Sequence, residues 1–267
     1  MTTLNKATIL ITGATGGFGQ EMVKQFLEKN GRLILTDLDQ TRLAELAQSI
    51  EGKIETGEIV ACFAANLATV EGCQKLYHFY QSLDMPLDLL VNNAGVAAHG
   101  RFDEMPTDYW EKIMQINLLA PLHLVHAFVP NMIAQKRGHI VNIASIAGWV
   151  GSAGLAVYSA TKYGLRGFSE ALYEEVKPYG VQVTTVYPFF SRTPILNSPR
   201  FGTMQRGDLP DGMITDPSDV IREVVAGIEQ NKHHIFPDKT ARRMHILKRY
   251  WPSLLYRATN RLEKKLT

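Results

Sequence analysis

Two rhythms of hydrophobic and polar positions alternate along this chain. Short, nearly unbroken apolar runs rich in β-branched residues recur, most of them followed by a stretch whose apolar residues fall three and four apart. The runs are Lys6 to Thr12, Arg32 to Thr36, Ile59 to Ala65, Asp88 to Asn92, His139 to Ile143, Gly180 to Tyr187 and a short last one, His234 to Phe236. Unbroken runs of this kind suit strands buried on both faces. The helical spacing predicts helices over Gln20 to Lys29, Gln40 to Ile50, Val70 to Leu83, Pro106 to Lys136, Ala156 to Pro178 and Val220 to Gln230. Strand–helix alternation from end to end predicts one α/β domain, a doubly wound parallel sheet flanked by helices, over residues 1–238. Residues 239–267 read as a basic amphipathic C-terminal extension.

Composition narrows this little. The chain has 267 residues, 45% of them hydrophobic and 20% charged, enough for one large domain with a substantial core. No apolar run reaches the length of a membrane span, and no secretory signal is visible, so the expected location is the cytoplasm. Cys62 and Cys73 have no redox or metal spacing and read as free thiols of a reducing compartment. The eight histidines show no ligand spacing either, and no metal is expected.

Charge changes the picture more. Net charge is +2, yet residues 240–267 hold eight Lys/Arg against one acid. The rest of the chain therefore carries 20 basic and 25 acidic residues, which argues against nucleic-acid binding by the main domain. Within the tail, Leu247, Trp251, Leu254, Ala258 and Leu262 fall at helical spacing, interrupted by Pro252. Such a segment either lies on an anionic membrane, feeding a lipophilic substrate to the site, or packs its stripe over the pocket or a partner subunit.

Three loops carry candidate chemistry. After the first strand comes Thr12-Gly13-Ala14-Thr15-Gly16-Gly17-Phe18-Gly19 and then a helix, the context in which a backbone approaches a pyrophosphate at a helix N-terminus. The second strand ends at Asp37, placed to accept bonds from adenosine ribose hydroxyls and to repel a 2′-phosphate; no basic residue is seen in the loop or at Leu38 and Asp39. That reading favours NAD, although a helix-capping aspartate would sit in the same place. The fourth strand runs into Asn92-Asn93-Ala94-Gly95, small enough to press against a ligand, or simply a turn.

The third constellation follows the strand at His139. Ser145 ends a strand, a Gly-rich loop follows, and Tyr158 and Lys162 stand four apart on one helix face. A phenol has a reference pKa of about 10, and a lysine charge beside it favours the phenolate. With a serine hydroxyl on the same substrate oxygen, the trio makes a proton-transfer site for an alcohol or carbonyl. Asn117, inside the long fourth helix, either kinks it and holds a water or faces solvent. Beyond Pro188 an irregular stretch, 189–215, is placed as a substrate lid, and its Phe189, Phe190, Ile195, Leu196 and Phe201 suggest apolar contents.

Over roughly Lys6 to Phe236 the chain resembles a short-chain dehydrogenase/reductase. The match comprises Thr12-Gly13-x-x-x-Gly17-x-Gly19, Asn92-Asn93-Ala94-Gly95, Asn117, Ser145 and Tyr158-x-x-x-Lys162, in that order. The resemblance implies a Rossmann-type fold and nicotinamide-dependent oxidation of an alcohol or reduction of a carbonyl. It implies Tyr158 as acid/base, Ser145 as orienter of the substrate oxygen, Lys162 lowering the tyrosine pKa and holding the nicotinamide ribose, and Asn117 supporting a proton-relay water. Cofactor contacts then fall to Gly13, Thr15, Gly17, Phe18, Gly19, Asp37, Asn66, Leu67, Asn93, Ala94, Gly95, Tyr158, Lys162, Pro188 and Thr193. Substrate contacts fall to Ser145, Tyr158, Phe189 and Phe190. Two departures stand out: Asn66 where the family usually has aspartate near the adenine, and Phe189 where it usually has glycine. The expectation is an NAD(H)-dependent oxidoreductase acting on a hydrophobic secondary alcohol or ketone, as a homodimer or homotetramer. A catalytically silent NAD(H)-binding redox sensor and a sugar-nucleotide epimerase-type enzyme are the rivals.

Overall fold

The computed structural model describes residues 1–204 and 211–253. It begins with β1 (Thr8–Thr12), α1 (Gly17–Glu28), β2 (Arg32–Asp37), α2 (Gln40–Ile50), β3 (Glu58–Ala64), α3 (Val70–Ser82) and β4 (Leu89–Asn92). There follow the two-residue β5 (His99–Gly100), α4 (Thr107–Met114), α5 (Ala120–Ala134), β6 (Gly138–Ile143), α6 (Ala156–Val176) and β7 (Val181–Val186). The chain then passes through β8 (Arg200–Phe201), α7 (Pro217–Glu229), β9 (His234–Ile235) and α8 (Lys239–Tyr250). The expected strands and helices are all present, with ends shifted by a few residues. The largest shifts are at the starts of α1 and α7, each three residues early, and α1 begins inside the glycine loop.

Seven strands pair in the order β3-β2-β1-β4-β6-β7-β9, every pair parallel. Strand order reverses between β1 and β4, the switch point where open α/β sheets bind ligands. Side chains alternate across the sheet and so feed two cores. Ile9, Ile11, Leu33, Leu35, Leu89 and Val91 pack with Met22, Phe26, Val224 and Ile228, from α1 and α7. Leu10, Ile34, Leu90 and Ile140 pack with Leu76, Leu124, Phe128 and Leu172 on the opposite face. Burying each such side chain contributes roughly 1.5–3 kcal/mol, which is why the site at the strand ends has a rigid floor.

The sequence pattern missed a small second sheet. β5 pairs in parallel with β8, joining the segment after β4 to the lid; two residues are too few to show a period. The tail forms a helix, but α8 ends at Tyr250, two residues before Pro252. Of the apolar stripe expected there, Leu254, Ala258 and Leu262 lie outside the described residues, as does part of the lid, 205–210.

His139 is fully buried in β6 and bonds two hydroxyls, Thr2 Oγ1 at 2.8 Å and Thr184 Oγ1 at 2.7 Å. A neutral ring satisfies both; burial, helped by the nearby N-terminal charge, pushes its pKa down to about 3. The folded value lies below the unfolded one, about 6.5, so this stability is present above pH 6.5 and is lost as pH falls toward 3. Urea unfolding at pH 7 and pH 5 should differ by on the order of 2 kcal/mol from this group, and His139→Gln should flatten that slope. An equal slope in the variant would remove the assignment.

Candidate active site

The site is built on the carboxyl ends of β1, β4 and β6, beginning with the glycine loop. Gly13 has φ +65°, and a Cβ there would lie 2.8 Å from Ala94 Cα. A Cβ on Gly19 would overlap the Gly13 carbonyl oxygen, so α1 can start hard against the turn only without side chains. The Thr12 hydroxyl accepts from both Asn93 N and Ala94 N at 3.0 Å, while Asn93 Nδ2 donates to the carbonyls of Thr12 (2.9 Å) and Gly13 (3.0 Å). Thr12 and Asn93 thus lock the two loops together, a role the sequence reading gave to neither. Phe18, at the second position of α1, packs against the core beneath.

At the outer end, the two oxygens of Asp37 are engaged by backbone and hydroxyl. One accepts from Thr15 N (2.9 Å) and Thr15 Oγ1 (2.7 Å), the other from Leu38 N (2.7 Å). The expectation that no positive charge stands near this aspartate needs correction. Arg42, in the first turn of α2, donates to the Thr15 carbonyl at 3.3 Å. Asp39 caps that turn, accepting from Thr41 N and Arg42 N, and so aims the arginine back at the loop. Asn66 bends its own amide oxygen onto Ala68 N (3.0 Å), and Leu67 is buried. Both sit at the end of β3, two strands from the glycine loop.

The inner end gathers the proton-transfer residues. Tyr158 and Lys162 share a face of α6, and Ser145, just past the end of β6, lies near enough to the Tyr158 phenol to favour its charged form. Ser145 Oγ also accepts from Ala147 N (3.1 Å), fixing the turn that follows. Lys162 Nζ donates to the Ile143 carbonyl at 2.8 Å and lies 5.5 Å from the Tyr158 ring centre. Spacing alone suggested a lowered phenol pKa. In the free protein burial dominates: Tyr158 is pushed up to about 12 against the opposing influence of Ser145, and Lys162 is pushed down to about 8. Both shifts penalise the charged form of a desolvated group.

Asn117 is buried and does not face solvent. It sits in a π-helical turn, Gln115–Leu119, between α4 and α5. Its amide pairs with both backbone groups of Val96, accepting at 2.9 Å and donating at 2.8 Å. Gly95 leaves the space between open: a Cβ there would meet Asn117 Oδ1 at 3.5 Å and Lys162 Nζ at 3.8 Å.

The segment after β7 reaches this row at Thr193 and Pro194. A Cβ on Gly17 would lie 2.6 Å from Thr193 Cγ2, so Thr193 and Pro194 reach the glycine loop directly. The Pro188 carbonyl accepts from Ile146 N at 3.0 Å, tying the β7 end to the serine turn. Phe189 and Phe190 meet edge to face at 4.6 Å and stay half-exposed. Behind them, two residues not singled out from the sequence bring in α8: Asp238 and His245. The pattern offered no signal for either, since both act across the sheet edge.

Glycines at which a side chain would clash, open space at Gly95 and the Ser145, Tyr158 and Lys162 side chains beyond it line the carboxyl ends of β1, β4 and β6. Residues 7–201 match the family model for short chain dehydrogenases. An uncharacterized oxidoreductase of Staphylococcus saprophyticus is 27% identical over 87% of this chain and 95% of its own. Human epidermal retinol dehydrogenase 2 is 31% identical over 91% of this chain and 78% of its own. Among solved structures, a short-chain dehydrogenase from Sphingobium yanoikuyae in complex with NADPH superposes with a TM-score of 0.79, at 25% identity, over 98% of this chain and 96% of that one. The chain belongs to the short-chain dehydrogenase family of oxidoreductases.

Proposed function

We propose that this protein is an NAD(H)-dependent oxidoreductase that interconverts a hydrophobic secondary alcohol and its ketone. The observation that carries the reading is the buried Lys162 ammonium held 5.5 Å from the Tyr158 ring, with Ser145 beside the phenol, at the inner end of the glycine row. Gly13, Thr15, Gly17, Phe18, Gly19 and Asp37 would hold the adenosine and diphosphate part of the cofactor, with Asn66 and Leu67 at its adenine edge. Asn93, Ala94, Gly95, Tyr158, Lys162, Pro188 and Thr193 would line the nicotinamide half. When bound, that group supplies the hydride acceptor or donor.

The chain's own groups handle the proton. Tyr158 exchanges it with the substrate oxygen, and Ser145 orients that oxygen from the strand end. Lys162, charged below about pH 8, stabilises negative charge on the phenol. Asn117 holds Val96 and frames the space in which a relay water would stand. A phenol kept protonated by burial is a proton donor, so carbonyl reduction should run at neutral pH and alcohol oxidation should accelerate as pH rises. The half-exposed Phe189 and Phe190 support an apolar substrate, and the retinol dehydrogenase named above is consistent with one.

NAD preference rests on Asp37, whose carboxylate would meet a 2′-phosphate; Arg42 works the other way. The same cleft without turnover would be a redox sensor, against which the complete Ser145, Tyr158 and Lys162 set speaks. A panel of ketones and alcohols, polar to lipid-like, with NAD(H) and NADP(H) in parallel, tests the whole reading. Bulky apolar substrates with NAD(H) should be used best, and Tyr158→Phe should lose about 100- to 10,000-fold. Asp37→Ser should raise relative NADP use, with Arg42 intact. Wild-type preference for NADP, or activity surviving in Tyr158→Phe, contradicts the corresponding assignment.

We assign the helix spanning 107–134 to contact with a second copy. It is apolar over a long stretch and only partly covered, though its length alone would also suit a membrane. We assign the outer face of α8 to an anionic membrane surface. Ile246, Tyr250 and Trp251 are about half exposed there, and Lys239 to Tyr250 holds five basic residues and no acid. Vesicles with anionic lipid should sediment the protein at low salt and neutral vesicles should not; paired Ile246→Ser and Tyr250→Ser should release it. Indifference to vesicle charge would return α8 to ordinary packing.

A further inference from the structure

Outside the proton-transfer cluster, the start of the segment after β7 is tied down by a residue far along the chain. Asp238 is 6% exposed. Its Oδ2 accepts from Phe189 N at 2.8 Å, at the first lid residue, and its Oδ1 accepts from Ala241 N at 2.7 Å, capping α8. A buried carboxylate with two backbone donors, one at a helix N-terminus, is held firmly. The lid therefore leaves β7 from a point fixed by α8, at the position where the bulky Phe189 stands.

The far side of α8 reaches the other wall of the cleft. His245 lies edge-on to Trp149 at 4.6 Å and stacks on Phe236 at 4.1 Å. Trp149 follows the turn that Ser145 caps, and its backbone is bonded to that turn through Ile146. Trp149 also meets Arg166, whose guanidinium stands 3.4 Å over the ring. Arg166 is one helical step beyond Lys162 on the face that carries Tyr158 and Lys162. Tyr187 and Phe236 complete the cluster, with rings stacked at 4.9 Å.

We propose that α8 is a buttress for the substrate cleft, with Asp238 as its positioning residue: it sets the lid wall through Phe189 and braces the serine-turn wall through His245 and Trp149. Asp238 touches neither cofactor nor substrate; it acts by fixing where the Phe189 ring stands. The consequence is selectivity for substrate size, and this part rests on the oxidoreductase reading above. A large apolar ketone needs the wall in place, whereas a small one does not.

Three variants of the full-length protein test it: Asp238→Ala, which loses both acceptors; Asp238→Asn, which keeps one carbonyl oxygen; and His245→Ala, which cuts the second brace alone. For Asp238→Ala, kcat/KM on a bulky apolar ketone should fall at least about tenfold relative to a small ketone, with NADH affinity kept within about twofold. Asp238→Asn should lie between, and it serves if the alanine variant does not fold. Hydrogen exchange supplies a readout independent of turnover. Exchange should rise over residues 186–193 in both Asp238 variants, and over 145–150 in Asp238→Ala and in His245→Ala. An unchanged size preference together with exchange confined to α8 itself would overturn the proposal, as would equal losses for large and small substrates. If the wild-type protein turns over no ketone, the oxidoreductase reading fails, and the exchange pattern alone decides whether α8 braces both walls.

Discussion

The site depends on one close approach of backbone to backbone. Where β1 and β4 end side by side, the chain at Gly13 comes so near Ala94 that a single methyl group would not fit. Thr12 and Asn93 hold that contact with four hydrogen bonds, none involving a charge. Because the strands beneath are buried on both faces, the approach cannot relax sideways. It sets the start of α1, the path of the Asn93–Gly95 loop and, through Val96, the anchorage of Asn117. A ligand entering here meets peptide groups rather than side chains, as an anionic diphosphate requires.

From that floor the structure divides its chemistry by burial. At the Asp37 end the carboxylate stays partly exposed and is held by uncharged donors, and the exposed Arg42 bonds the same loop. At the other end Lys162 is buried and Tyr158 largely withdrawn from water. Desolvation there outweighs the opposing influence of Ser145 on the phenol, raising the phenol, and it lowers the amine. The free protein thus holds a protonated acid next to a lysine that titrates near physiological pH. A cluster adjusted by desolvation responds strongly to whatever fills the cleft, because any ligand changes the water and charge around it.

The outer wall follows a different logic. β7 and the lid stand near the sheet edge, where only the short β9 lies beyond, so support must come from outside the sheet. α8 provides it through a carboxylate and an aromatic cluster rather than strand pairing. Its outward face remains basic and apolar, and its inward face reaches both loops that frame the cleft. The segment that read as an appendage is therefore part of the cleft's architecture.

The sequence by itself determined the parallel sheet, the order of strands and helices, and the row of residues at the strand ends. Those depend on local periods and on motifs whose members lie within one turn or loop, such as Tyr158 with Lys162. Asn117 shows the limit. Its position was legible, but its burial and its pairing with Val96 depend on a π-helical turn that no apolar spacing reports. Arg42, Asp238 and His245 were silent for the same reason: each acts on a partner at least 27 residues away, and nothing in the local pattern encodes that distance. The direction of the Tyr158 and Lys162 shifts was likewise decided only by the fold, since spacing brings the charges together but tertiary packing removes the water.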